Sequence, residues 1–149
     1  MSLDVSLISK QKVYRQGGTG VFVRENGATR ELSGREVAEK FPDAIVNVSE
    51  DYETNEVFSA NITHNLGEMA ARADIYTALW RPDEQGWTHA KDITGMLERG
   101  LRRLLRNPER FKKYNPENGW GNYDVLVEFT QKYLIACKEY PDAVIEVSR

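Results

Sequence analysis

Apolar and polar residues alternate with a period of two over much of residues 1–62. Apolar positions then recur at i, i+3, i+4 and i+7 through 64–140, and alternation returns in the last nine residues. The first regime predicts strands. "LDVSLIS" is one. "GVFVRENGATREL" reads as a hairpin, because Asn26-Gly27 suits the two positive-φ positions of a type I′ turn. Ser33 with Glu36 three residues on forms a capping box that opens a short helix, stopped by Phe41-Pro42. "AIVNVS" and "EVFSANI" predict two further strands joined by the acidic "EDYETN".

The second regime predicts three main helices. In the first, Asn65 and Glu68 make another capping box, and Leu66, Met69, Ala70, Ala73, Tyr76 and Trp80 form one stripe that ends at Arg81-Pro82. Thr88 can cap the second, whose apolar set is Ile93, Met96, Leu97, Leu101, Leu104 and Leu105; Asn107-Pro108 ends it or opens a further short turn. The third follows "NGWGNY", with Leu126, Phe129, Tyr133, Leu134 and Cys137 inward, and stops before Pro141. "AVIEV" then returns as a strand. Each helix has one apolar stripe and needs a surface to cover. The expected fold is therefore α+β: a mostly antiparallel sheet including the N- and C-terminal strands, with about three main helices packed on one face.

At 149 residues the chain reads as a single domain, 1–149, large enough for a real core. With 40% hydrophobic and 29% charged residues it is expected to be globular and soluble, and its net charge of −3 does not draw it as a whole to nucleic acid or an anionic membrane. No apolar run is long enough to cross a bilayer, and "MSLDVSLISK" lacks the pattern of a signal peptide. The single cysteine, Cys137, cannot form an internal disulfide and fits a reducing cytoplasm. On a helix's inward stripe it reads as a small buried hydrophobe rather than a nucleophile.

No nucleophile elbow, P-loop, Cys-x-x-Cys or zincin motif is present, and only two histidines, His64 and His89, occur. No metal site and no cofactor are expected. "GGTG" at 17–20 has the small residues of an anion nest but no following Lys-Thr or helix, so it reads as a loop. Three polar clusters remain. In "FSANITHNLGEMAA", Asn61, Thr63, His64 and Asn65 stand where a strand becomes a helix; free N–H groups there attract anions, although Glu68 competes for them. In "NPENGWGNY", Asn118, Trp120 and Tyr123 offer an amide and two rings; as structure, Trp120 would pin the loop to the core while Asn122 caps the last helix. "LWRP" adds Trp80 and Arg81 at a helix end. Finally, seven basic residues and one acid, Glu109, lie between Arg99 and Lys113. Arg99, Arg102, Arg103 and Arg106 fall on one face, nearly opposite Ile93, Leu97, Leu101 and Leu104.

"ANITHNLGEMA", "LWRP", "NPENGWGNY" and "EYPDAVIEVSR", with the opening "SLDVSL", resemble a group of short, functionally unassigned proteins from bacteriophages and bacterial genomes. The resemblance covers 1–9 and about 56–149. It implies that about 11–55 is an inserted hairpin and short-helix subregion, and that the protein is a phage or prophage accessory protein in the host cytoplasm, with counteraction of host defence as a role. The leading expectation is a non-enzymatic binder of a small polar or nucleotide-like ligand, or of a host protein. Its site residues would be Asn61, Thr63, His64, Asn65, Trp80, Arg81, Asn118, Trp120 and Tyr123, with rings stacking and amides setting orientation. One rival is a hydrolase or transferase with His64 as general base. Another is a nucleic-acid binder acting through Arg99, Arg102, Arg103 and Arg106 on the basic face of 99–113.

Overall fold

A computed structural model describes residues 1–16, 18–43 and 48–149. Among these the order is β1 (Ser2–Gln16), β2 (Phe22–Glu25), β3 (Ala28–Glu31), α1 (Gly34–Lys40), β4 (Val48–Thr63), a 3-10 turn (His64–Leu66), α2 (Gly67–Arg72), α3 (Tyr76–Trp80), a second 3-10 turn (Asp83–Gln85), α4 (Ala90–Arg106), α5 (Pro108–Lys112), α6 (Tyr123–Glu139) and β5 (Val144–Ser148). The chain divides into two compact units: 1–10 with 54–149, and 11–53.

The larger unit is α+β, with the strands from both chain ends in one antiparallel sheet of order β4-β1-β5. β1 meets β5 in the register Val5↔Val147 and Leu7↔Ile145. Alternation along β1 explains why: Leu3, Val5 and Leu7 are fully buried. Asp4 and Ser6 lie on the other side, where Asn61 Nδ2 donates to Asp4 Oδ1 (2.6 Å) and Ser6 Oγ donates to Glu56 (2.8 Å). The buried strand residues join one core with Leu66, Met69, Leu79, Ile93, Leu97, Leu104, Leu126 and Tyr133 from the helical part. Both long helices carry the stripes that their spacing predicts, except that Leu105 is 56% exposed. Asn122 caps α6, its Oδ1 accepting from Val125 N–H at 3.0 Å.

Four local expectations change. β4 runs unbroken from Val48 to Thr63, so "EDYETN" lies within a strand and does not join two; residues 44–47 of "AIVNVS" fall outside the described residues. The predicted helix of 65–80 is split. α2 ends at Arg72, and Asp74 adopts φ 67°, a left-handed conformation that aspartate tolerates better than most residues. The Asn65–Glu68 box is not formed. Thr63 Oγ1 accepts from Asn65 N–H (3.3 Å) to open the 3-10 turn, and Glu68 instead faces Arg72 at 3.8 Å. At the start of α4 the cap position belongs to His89 rather than Thr88, and Asp92 accepts from the backbone N–H groups of both.

In the smaller unit β2 pairs β3 antiparallel, and Asn26 (φ 50°) and Gly27 (φ 80°) supply the turn. Ser33 and Glu36 form the predicted capping box of α1. Gly20 N–H of the "GGTG" stretch donates to Glu31 Oε1 at 3.0 Å; an acid already occupies that donor.

Candidate functional site

Gly100 fixes the geometry of the most strongly charged surface. A Cβ there would lie 2.0 Å from Ile75 Cγ2 and 3.3 Å from the Ala73 carbonyl oxygen. Only a residue without a side chain lets α4 rest this closely on the turn between α2 and α3. The adjacent turns of α4 then flank Asp74 with Arg99 and Arg103. Arg103 Nη1 donates to the Ala73 carbonyl at 3.1 Å, satisfying an acceptor at the end of α2.

The result is an open cavity of about 540 Å³ lined by six arginines, Arg72, Arg99, Arg102, Arg103, Arg106 and Arg110, with Asp74 as the one acid in its wall. The four arginines of the predicted basic face lie together here. Arg72, from the end of α2, and Arg110, from α5, join them. Arg72 stacks over the Tyr114 ring (5.2 Å), and Arg110 lies over Phe111 (5.8 Å). Arg99, Arg102 and Arg106 make no hydrogen bond or ion pair among the described residues; the field of Arg102 and Arg99 assists Lys138 in lowering the Glu98 pKa. Within α4 the pairs 99/102, 99/103, 102/106 and 103/106 set like charges at helical-neighbour spacing. Together they cost on the order of 1–2 kcal/mol at low salt. An anion in the cavity offsets that cost, and the guanidinium fork matches phosphate oxygens bidentately.

A second cavity of about 350 Å³ shares Asp74, Arg99 and Arg103 with the first and adds Thr77, Ala78, Gln85, Trp87 and Met96. Trp87 comes from the loop before α4, so no helical spacing relates it to the arginines.

The predicted amide and ring residues separate into two groups. Asn61, Thr63, Asn65, Asn118 and Trp120 line one open cavity of about 490 Å³ with Met1 and Ser2. Gly121 (φ 91°) brings these loops together: a Cβ on it would lie 2.7 Å from Thr63 Cγ2. Asn61 Nδ2 is committed to Ser2 and Asp4, and Asn118 Oδ1 accepts from Trp120 N–H (2.9 Å). Trp120 is 70% exposed; its ring is not the anchor that would pin this loop to the core.

His64, Trp80, Arg81 and Tyr123 lie outside that cavity. Trp80 is buried, donates from Nε1 to His64 Nδ1 (2.8 Å) and stacks on Tyr76 (5.3 Å between centroids). Arg81 donates to the Tyr76 hydroxyl (3.3 Å) and pairs with Glu84 (2.8 Å); these contacts raise its pKa. Tyr123 is buried and donates to the Leu104 carbonyl at 2.6 Å, tying α6 to α4; desolvation raises its pKa. Because an indole N–H can only donate, neutral His64 carries its proton on Nε2. Its one basic lone pair is engaged, which removes the nitrogen a general base would use. Cys137 is buried, and desolvation pushes its thiol up to about 12, far from a thiolate nucleophile.

Among the described residues no group of three or more His, Cys, Asp or Glu side chains could hold a metal ion, and no helix is long and apolar enough to cross a membrane. No protein-family model, curated protein or solved structure matches this chain.

Proposed function

We propose that this is a non-enzymatic binding protein whose ligand carries phosphate groups, held in the arginine cavity. One observation carries the reading: six arginines line one concavity with a single carboxylate among them, and three of them make no hydrogen bond or ion pair among the described residues. Such convergence costs stability unless an anion fills it. Delocalised, planar donors favour phosphate over a point-like anion.

The test is thermal unfolding with chloride, phosphate, pyrophosphate and tripolyphosphate at matched ionic strength. A ligand that binds only the folded state raises the melting temperature with its concentration. Stabilisation should grow with phosphate number, fall as salt is added, and vanish in Arg102→Glu/Arg106→Glu. Equal melting temperatures in all four anions would end the proposal.

The exposed Trp120 ring supports a second reading, in which the 490 Å³ cavity holds an uncharged hydrogen-bonding ring. The indole would supply a stacking face, and Asn65 and Asn118 the polar contacts. Quenching of Trp120 fluorescence by nucleosides or sugars, lost in Trp120→Phe, tests it.

A further inference from the structure

We infer that the phosphate-bearing ligand is a nucleotide: its phosphates lie among the arginines, its base in the adjoining cavity beside Trp87, and its ribose hydroxyls at Asp74 between them. This rests on the phosphate reading above. The two cavities share Asp74, Arg99 and Arg103, so one ligand can occupy both. Their walls differ in kind. The larger offers guanidinium donors, which require an acceptor-rich anion. The smaller offers the Trp87 indole and the Met96 thioether, both only partly buried against the core, for apolar contact with a flat ring. The Thr77 hydroxyl and the Gln85 amide can pair with that ring's edge.

Asp74 distinguishes this occupant from other polyanions. A carboxylate in the wall repels any phosphate chain, a nucleotide's included, and offers inorganic polyphosphate no compensating contact. It accepts hydrogen bonds from a vicinal diol, which a ribonucleotide carries between its phosphates and its base. Its backbone, at φ 67°, also suits glycine, so the diol acceptor can be removed without straining the turn.

The experiment is calorimetric titration of the full chain with tripolyphosphate, with ribonucleoside and 2′,3′-dideoxyribonucleoside triphosphates, and with a single-stranded pentanucleotide. The ribonucleotide should bind roughly tenfold to a hundredfold tighter than tripolyphosphate, the gain expected from stacking a base on an aromatic ring. Trp87→Leu should remove that gain and leave tripolyphosphate affinity unchanged, which also reports an intact fold; Trp87→Phe should keep part of it. Asp74→Gly should abolish the preference for ribo- over dideoxyribonucleotide, and Asp74→Asn, which keeps one carbonyl acceptor, should retain part of it.

Failure of tripolyphosphate to bind the wild-type chain would defeat the phosphate reading itself. Tripolyphosphate binding equal to that of the nucleotide, or Trp87→Leu weakening both alike, would overturn the nucleotide assignment alone. A pentanucleotide bound more than about tenfold tighter than the mononucleotide would assign the cavity to a strand of nucleic acid and overturn it too.

Discussion

Trp80 Nε1 donates to His64 Nδ1 across 2.8 Å, and this bond fixes the imidazole as its Nε2–H tautomer. The histidine that the sequence offers as a general base therefore holds a buried indole in place. His64→Ala should destabilise the fold by about 1–3 kcal/mol, the cost of stranding a buried donor. Denaturant unfolding measures the loss, and nitrogen NMR of the wild-type imidazole should show the proton on Nε2. A proton on Nδ1 would overturn this account.

The elements were largely legible in the sequence because their signals are local. Asn26-Gly27, Ser33 with Glu36, Asn122, and the stripes of α4 and α6 each act through residues within one turn or one strand pair. The split after Arg72 was not legible, since the apolar stripe continues through Ala73, Tyr76 and Trp80 and only the backbone of Asp74 marks the break. The candidate site followed the same rule. Helical spacing grouped Arg99, Arg102, Arg103 and Arg106, but Arg72, Arg110 and Trp87 reach the same surface through tertiary packing. Nor was it legible that Gly121 lets its loop lie against Thr63, and so puts Trp120 and Asn61 around one cavity.

Glu36 links the smaller unit to pH. Two hydrogen bonds of 2.8 Å from Arg30, with Ser33 N–H donating at 3.2 Å, lower its pKa from 4.5 to about 2. A carboxylate whose folded pKa is depressed contributes stability above its unfolded pKa and loses that contribution as pH falls through the folded value. Wild type should therefore exceed Glu36→Gln in stability at neutral pH, and the gap should close between about 4.5 and about 2. Urea midpoints of both proteins across that range supply the measurement. A gap independent of pH would mean that the carboxylate's charge adds nothing to the capping box.

Gly100 couples stability to the arginine cavity. A methyl group at this position would lie 2.0 Å from Ile75 Cγ2, so α4 or the turn beneath it must move. Alanine's better helix propensity, worth about 1 kcal/mol over glycine, opposes a similar or larger overpacking cost of roughly 1–3 kcal/mol in a close-packed core. The overlap is with a side chain held at full burial, so repacking should dominate and Gly100→Ala should lower stability. Moving α4 also draws Arg103 from the Ala73 carbonyl and shifts Arg99 relative to Arg72, so phosphate affinity should fall with it. Ile75→Ala removes the clashing methyl. The double variant should therefore be more stable than the sum of the two single losses implies, and should regain phosphate binding. Additive losses, or full phosphate affinity in Gly100→Ala, would show that the close approach of this helix does not set the spacing of the guanidinium groups.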